Sequence, residues 1–191
     1  MKAKLVLFTI VIALIAINNE SKAKKISEIT KIFPMDSGLV IHQVGEKFGG
    51  GIVFYVFTGT DGKQHGLIAS LNNLSTNAKW SENTDKLIGA QSNSDGAANT
   101  SAIIKAGGLA TEAAGVCQAY NEGGFTDWYL PSMDEFEKLA SNIKIDWTGA
   151  GFFWTSTEKM NGSAWGYDLR NKKANASNKT RQGTIRPIRA F

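Results

Sequence analysis

The sequence predicts an α+β domain built from small antiparallel sheets and two or three short helices. Apolar strand-like runs occur near both ends of the domain, and the helical patterns lie between them rather than alternating with the strands. The chain has one cysteine and therefore no disulfide within it, but it has five Trp, ten Phe and four Tyr. We therefore expect the fold to depend on packing of large aromatic side chains.

The first 23 residues have the pattern of a secretory signal peptide. Lys2 and Lys4 precede an apolar run of 13 residues, 5–17, and the small residues Ser21 and Ala23 follow it. A membrane-spanning helix needs about 20 apolar residues, so this run is short for one. We expect cleavage after Ala23 and a secreted, periplasmic or cell-surface protein without a stable membrane span. An uncleaved N-terminal anchor is the alternative.

Residues 24–44 are interpreted as a lead-in segment and residues 45–191 as a single domain. The formal net charge of +4 includes three lysines and one glutamate of the predicted signal peptide, so the mature chain carries about +2. One basic cluster is broken up by Asn, Ala and Ser, and we expect it to be a solvated hairpin or loop. It is not a continuous basic stripe, and we expect no nucleic-acid partner. The cluster comprises Arg170, Lys172, Lys173, Lys179 and Arg181.

The first strands follow a glycine-rich turn. The run FGGGIVFYVF (48–57) predicts a buried strand, and HGLIASL (65–71) predicts the strand that returns beside it. Asp61-Gly62 between them is a typical hairpin turn. Residues 72–99 are polar and predict a long surface loop, which is the kind of segment that often carries function.

Two helical patterns follow this loop. Asn99 is the predicted N-cap of a helix over TSAIIKAG (100–107). In the second pattern, Ala113, Val116, Cys117 and Tyr120 recur at helical spacing on one face. We therefore expect Cys117 to be a buried, unpaired core residue rather than a nucleophile.

The stretch FTDWYLPSMDEF (125–136) predicts an extended segment that turns into a helix. Pro131 favours an extended Leu130, and Ser132 with Glu135 forms the pattern of a capping box. We expect this stretch to be architectural, although Asp127 has no assigned partner. After it, FFWTSTE (152–158), AWGYDLR (164–170) and GTIRPIRAF (183–191) predict strands, with Pro187 at an edge or bulge.

Several of these motifs together resemble a known family. FGGGIVFYV, DWYLPSMDEFEKL, FFWTSTE and the closing IRPIRAF are similar, in this order, to the family named for the C-terminal domain of the Legionella collagen-like protein. The resemblance covers about residues 45–191. It implies a C-type-lectin-like fold and surface recognition by a bacterial secreted or surface protein, and the named member is associated with adhesion to sulfated glycans.

The sequence departs from related folds at the positions that carry their chemistry. It lacks the Glu-Pro-Asn and Trp-Asn-Asp patterns of calcium-dependent lectins, and Cys117 is alone where formylglycine-generating enzymes use a cysteine pair. His42 and His65 are far apart and have no nearby Cys or paired His, so we expect no zinc site. We expect no cofactor, although oxygen ligands at Asn93 and Asp95 leave calcium binding open.

Two functional classes remain open. The first is a non-catalytic binding or adhesion domain for a glycan or host surface ligand, and the alternative is a hydrolase or other enzyme on a lectin-like scaffold. For the first class the polar loops are the predicted site, because Asn and Asp pair with sugar hydroxyls and an aromatic ring packs against a sugar face. The candidate ligand-binding residues are Trp80, Asn93, Asp95, Asn99, Glu158 and Asn161.

The signal-peptide interpretation makes a direct prediction. N-terminal sequencing of protein recovered outside the cytoplasm should begin at Lys24, since the small residues Ser21 and Ala23 precede the predicted cut. Recovery of intact Met1 in the membrane fraction would instead establish the anchor.

Overall fold

The structure is a computed structural model that describes residues 40–143 and 151–191. The predicted signal peptide, and the lead-in segment up to residue 39, lie outside the described residues. His42–Phe191 forms one compact unit. In the described ranges, no helix has the length and apolar character that crossing a membrane requires.

The α+β class is confirmed, since residues 40–143 and 151–191 contain two sheets and three short helices. The first sheet, sheet A, is antiparallel in the strand order β1-β2-β3-β9. The predicted hairpin joins β2 and β3, and Gly62 in its turn adopts a φ of 78°, which favours glycine. The strands are β1 (Lys47–Phe48), β2 (Gly51–Thr58), β3 (Gln64–Ser70) and β9 (Ile188–Ala190).

The second sheet, sheet B, has the strand order β4-β8-β5-β6-β7. Its neighbours are antiparallel except for β5 and β8, which run parallel where Phe153 pairs with Thr184. The strands are β4 (Ser75–Ala78), β5 (Phe152–Met160), β6 (Ser163–Asp168), β7 (Lys173–Asn178) and β8 (Gly183–Ile185).

The C-terminal segment connects the two sheets. The prediction of one final strand over residues 183–191 is wrong, because β8 belongs to sheet B and β9 to sheet A. Arg186 and Pro187 lie between them. Pro187 has no backbone N–H to donate. Interrupting the strand at this position therefore loses no hydrogen bond from its amide to a neighbouring strand.

The helices are α1 (Gly96–Lys105), α2 (Ala113–Gln118) and α3 (Met133–Asn142). The N-cap of α1 is Asp95 rather than the predicted Asn99, because the Asp95 carboxylate accepts a hydrogen bond from the Ala98 amide. Helix α2 ends before Tyr120. Cys117 on it is fully buried and unpaired, as predicted, and burial raises the pKa of its thiol.

Sheet B is covered on both faces. Alternate residues of β5 point in opposite directions, so Phe152 and Trp154 pack in a cluster with Trp80, while Phe153 packs on the other face with Phe136. The first cluster also contains residues of α1 and α2, and the second contains residues of α3 and β2. The aromatic strand FFWTSTE is thus the centre of the core.

The capping box predicted at the start of α3 is present, and it extends into a larger network. The buried Glu135 carboxylate accepts hydrogen bonds from the Ser132 amide at 2.7 Å and from the Gly96 amide at 3.1 Å. It also accepts from the hydroxyls of Ser132 and Tyr129. Glu135 therefore fixes the start of α3 against the start of α1.

Asp127, which had no partner in the sequence, pairs with Arg189 on β9. The Arg189 guanidinium donates two hydrogen bonds to the Asp127 carboxylate, at 2.7 and 2.9 Å, and this lowers the pKa of Asp127. Trp128 and Leu130 beside it are buried. Asp127 and Glu135, the carboxylates of residues 125–136 that are paired or buried, thus have partners within the fold. This agrees with the interpretation of the stretch as architectural.

We predict that Glu135→Ala lowers the free energy of unfolding by about 3 kcal/mol or more, since it leaves several buried donors without an acceptor. Glu137→Ala is the matched control, because Glu137 is exposed on the same helix and should change stability by no more than about 0.5 kcal/mol. Urea unfolding measures both. Equal effects of the two substitutions would contradict the role assigned to Glu135.

Candidate functional site

The polar segment 79–95 is anchored to sheet B by a buried ion pair. The Lys179 ammonium at the end of β7 donates to the Glu158 carboxylate of β5 at 2.5 Å, and both side chains are completely buried. Lys179 also donates to the Lys86 carbonyl and lies over the Trp80 ring at 4.9 Å. The ion pair therefore holds three segments that are distant in sequence.

Backbone donors complete the surroundings of Glu158. Its carboxylate accepts hydrogen bonds from the Ile88 amide at 2.9 Å and from the Gly89 amide at 2.7 Å. The Glu158 amide donates to the Ala90 carbonyl, and the Trp80 indole N–H donates to the Thr155 carbonyl at 2.8 Å. The long polar loop is thus fixed along one end of sheet B.

Three of the six candidate ligand-binding residues have internal partners in this arrangement. Trp80 is 0% exposed, Glu158 2% and Asn99 3%, so none of them presents a side-chain surface to a ligand. The Asn99 amide group bonds to Ser92 at both its ends and donates to the Ser156 hydroxyl. The expectation that Lys179 lies in a solvated cluster is also wrong, because it is the buried partner of Glu158.

The other three candidates are exposed. Asn93 and Asp95 lie directly before α1, where the Asn93 carbonyl accepts a hydrogen bond from the Asp134 amide of α3. Asn161 lies in the turn between β5 and β6. The polar loop 72–99 and the segment that begins at Glu158 contact each other through hydrogen bonds between Glu158 and residues 88–90. Asn93 and Asp95 lie further along the chain, next to the start of α1.

A polar cleft opens at the opposite end of β5. It has a volume of about 270 Å³ and lies where the first residues of β5 and β8 meet the end of β6. Backbone and side chains of both sheet strands and turns form its walls, so its shape is set by sheet B. The cleft is lined by Gly151, Phe152, Asp168, Arg170, Arg181, Gln182, Gly183 and Thr184.

The charged groups of the cleft are two arginines and one aspartate. The Arg181 guanidinium lies 3.9 Å above the Phe152 ring and donates to the Ser177 hydroxyl. The Arg170 guanidinium donates to no acceptor in the described part of the chain. Asp168 is bonded by the side chain and backbone of Asn171 and by the Arg170 amide, and these hydrogen bonds lower its pKa.

This arrangement can bind an anionic or hydroxyl-rich group. Exposed guanidinium groups recognise carboxylates, sulfates and phosphates through paired N–H donors, and Gln182 adds an amide donor and acceptor. In the two described ranges, no group of His, Cys, Asp and Glu is arranged to hold a metal ion.

Sequence reasoning missed the cleft because it treated the whole basic cluster as a solvated hairpin or loop. The hairpin of β6 and β7 separates its members: Arg170 and Arg181 line the cleft, Lys172 and Lys173 remain outside its lining, and Lys179 enters the core. The signal in the sequence was that the basic residues lie at both ends of a possible hairpin. Such a hairpin would bring some of them close to the preceding strand FFWTSTE.

The fold and these surfaces define a small aromatic-cored α+β domain with ordered polar loops and an exposed polar cleft. The chain belongs to the family described as the Lcl C-terminal domain, whose model matches residues 70–189. This confirms the resemblance drawn from the sequence motifs. A comparison with curated proteins finds no match.

We predict that Lys179→Met destabilises the protein by about 3–5 kcal/mol, because it leaves the Glu158 carboxylate buried without its cation. A double variant with Glu158→Gln should recover part of this loss, since the amide oxygen can still accept from the loop amides. Lys79→Met is the matched control, because Lys79 forms an exposed pair with Glu82. Urea unfolding that shows equal losses for Lys79→Met and Lys179→Met would contradict the role of the buried pair.

Proposed function

We propose that this protein is an exported bacterial binding or adhesion domain with a lectin-like fold, and that it binds a glycan carrying anionic groups without catalysing a reaction. The observation that carries the proposal is the cleft, where Arg170 and Arg181 present guanidinium groups beside Gln182. Arg181 is already oriented by its contacts with Phe152 and Ser177, so binding orders fewer side chains.

The position of the cleft at the ends of strands supports a recognition role. Its side-chain donors Arg170, Arg181 and Gln182 lie in turns whose ends are held by the strands of sheet B, and an open polar site suits a ligand that is itself covered with hydroxyl groups. The aspartate in the cleft supplies acceptors for hydroxyls, although some of its capacity is used by Asn171. Recognition of this kind needs no group with a shifted pKa for acid–base chemistry.

Asn93, Asp95 and Asn161 are the second candidate surface within the same proposal. Their side chains are exposed, and the loop that contains Asn93 is fixed by hydrogen bonds on both sides. Asp95 also caps α1, so a test of this surface has to preserve the cap.

We predict that Arg170→Ala combined with Arg181→Ala reduces glycan retention at least tenfold, because both guanidinium donors are lost. A glycan array identifies the retained glycans, and titration calorimetry with the best of them measures the affinity. Lys63→Ala with Lys105→Ala is the charge-matched control, because both lysines are exposed outside the cleft, and it should bind as the wild type does.

A third double variant, Asn93→Ala with Asp95→Ser, separates the two surfaces, since serine retains a capping oxygen for α1. Loss of binding in this variant alone would transfer the site to the loop. Folded protein that retains no glycan on the array, or equal binding by all variants, would refute the proposal at the cleft.

A further inference from the structure

Strand β7 is the outer strand of sheet B, and one of its edges has no neighbour in the described residues. Six consecutive residue pairs join β7 to β6 without a bulge, from Ser163 opposite Asn178 to Asp168 opposite Lys173. No other described strand pairs with β7, which stands last in the strand order of the sheet. The edge that faces away from β6 is therefore a regular strand edge of the kind that can pair with another chain.

The hydrogen bonds of β6 establish which of its backbone groups face β7. The Leu169 amide, just after β6, donates to the Gly151 carbonyl just before β5. The Trp165 carbonyl accepts a hydrogen bond from the Thr155 hydroxyl of β5. The odd-numbered residues of β6 therefore face β5. Because the direction alternates along an antiparallel strand, the even-numbered residues of β6 face β7 and bond to residues 173, 175 and 177.

The N–H and C=O groups of Ala174 and Ala176 consequently point to the open edge. The Lys179 amide, which continues the ladder, donates to the Gly162 carbonyl, and this gives the same alternation from the other end of β7. Within the described ranges, no group bonds to the backbone of either alanine at this edge. Two donors and two acceptors at the spacing of a strand thus remain for the backbone of another extended chain.

The charges near this edge favour an acidic partner. Residues 168–182 include one acid, Asp168, and its carboxylate is already bonded to Asn171. One cation of the same segment, Lys179, is neutralised by Glu158 in the core. The other cations are exposed, so the segment is positive at its surface and attracts carboxylates. They are Arg170, Lys172, Lys173 and Arg181.

The lysines are placed where they can attract a partner strand without blocking it. A lysine in the middle of an edge strand discourages pairing with another strand. In β7 the four central residues, 174–177, are uncharged, and Lys173 occupies the first position. The Lys173 side chain shares one face of the sheet with Asn175 and Ser177, because alternate residues of a strand point to the same face. Acidic side chains at every second position of a paired strand lie along this face.

We propose that the open edge of β7 binds an extended acidic segment of another protein, which adds to sheet B as a further strand. Ala174 and Ala176 exchange backbone hydrogen bonds with this segment, and Lys173 pairs with its carboxylates. A polypeptide fits this edge better than a glycan does, because a glycan lacks alternating N–H and C=O groups at the spacing of a strand. The surface is separate from the glycan cleft, because none of these three residues lines that cleft.

The test measures, by fluorescence anisotropy at low salt, the binding of a labelled octapeptide of alternating glutamate and valine to the full chain. A peptide with lysine in place of glutamate should bind at least about tenfold more weakly, because its charge is reversed. Two further peptides are N-methylated either on the valine amides or on the glutamate amides. One of them should lose at least about tenfold in affinity and the other should retain it, because alternate amides of a strand face opposite edges.

Two variants assign the binding to β7. Ala176→Pro removes an N–H that faces away from β6, so it should leave the fold intact and reduce binding of the glutamate peptide at least about tenfold. Ala176→Ser is the matched control, because it retains the N–H, and it should bind as the wild type does. Both variants should retain glycans as the wild type does, because residue 176 does not line the cleft.

Three results would overturn the proposal. They are the absence of peptide binding by the wild type, equal binding of the two methylated peptides, and unchanged binding by folded Ala176→Pro. The methylated peptides are tested on the wild-type chain, so they decide the question even if the proline variant does not fold.

Discussion

The buried pair of Glu158 and Lys179 is the interaction on which the ordered surface of this domain depends. It joins residues 21 positions apart in the chain and attaches a third segment through the Ile88 and Gly89 amides. Burying both charges carries a desolvation cost that offsets much of their attraction, so the pair adds little net stability compared with an apolar contact. Its contribution is to hold a long polar loop in one conformation. The loop has few apolar side chains that could fix it by packing.

A second buried carboxylate follows the same principle. Glu135 accepts hydrogen bonds from Gly96 and Ser132, and thereby attaches the start of α1 to the start of α3. In both cases a glutamate collects backbone amides from a segment remote in sequence, where no sheet ladder is available. Glu135 and Glu158 therefore have structural roles in the fold. Exposed polar groups remain at Asn93, Asp95 and Asn161, and at the other end of β5 in the cleft with Arg170 and Arg181.

The features that sequence reasoning predicted correctly have local signals. The Asp61-Gly62 hairpin, the Ser132–Glu135 capping box and the buried face of Cys117 each depend on residues within a few positions of one another. The features it missed are pairings between distant residues. Asp127 and Arg189 are 62 positions apart, and no periodicity relates them. The change of sheet at Pro187 also has no local signature, because proline is equally compatible with an edge strand.

The same distinction explains why the candidate site changed between sequence and structure. Composition identifies Trp80, Asn99 and Glu158 as residues able to contact a glycan, but it does not show which of them the fold buries. Their burial follows from tertiary contacts with Lys179, Ser92 and Ser156. Sequence reasoning could therefore locate a polar loop, but it could not separate the exposed Asn93 and Asp95 from the buried Trp80 and Asn99.

Three cations of the C-terminal segment show how the domain manages charge where its sheets meet. Lys179 is buried against a carboxylate, and Arg189 pairs with the more exposed carboxylate of Asp127. Arg186, between them in sequence, has carbonyl and amide oxygens as its described acceptors. Of these three cations, Arg186 alone forms no ion pair with a carboxylate of the described residues. Arg186 is therefore held by the dipoles of a carbonyl and a side-chain amide, at the point where the chain leaves one sheet and enters the other.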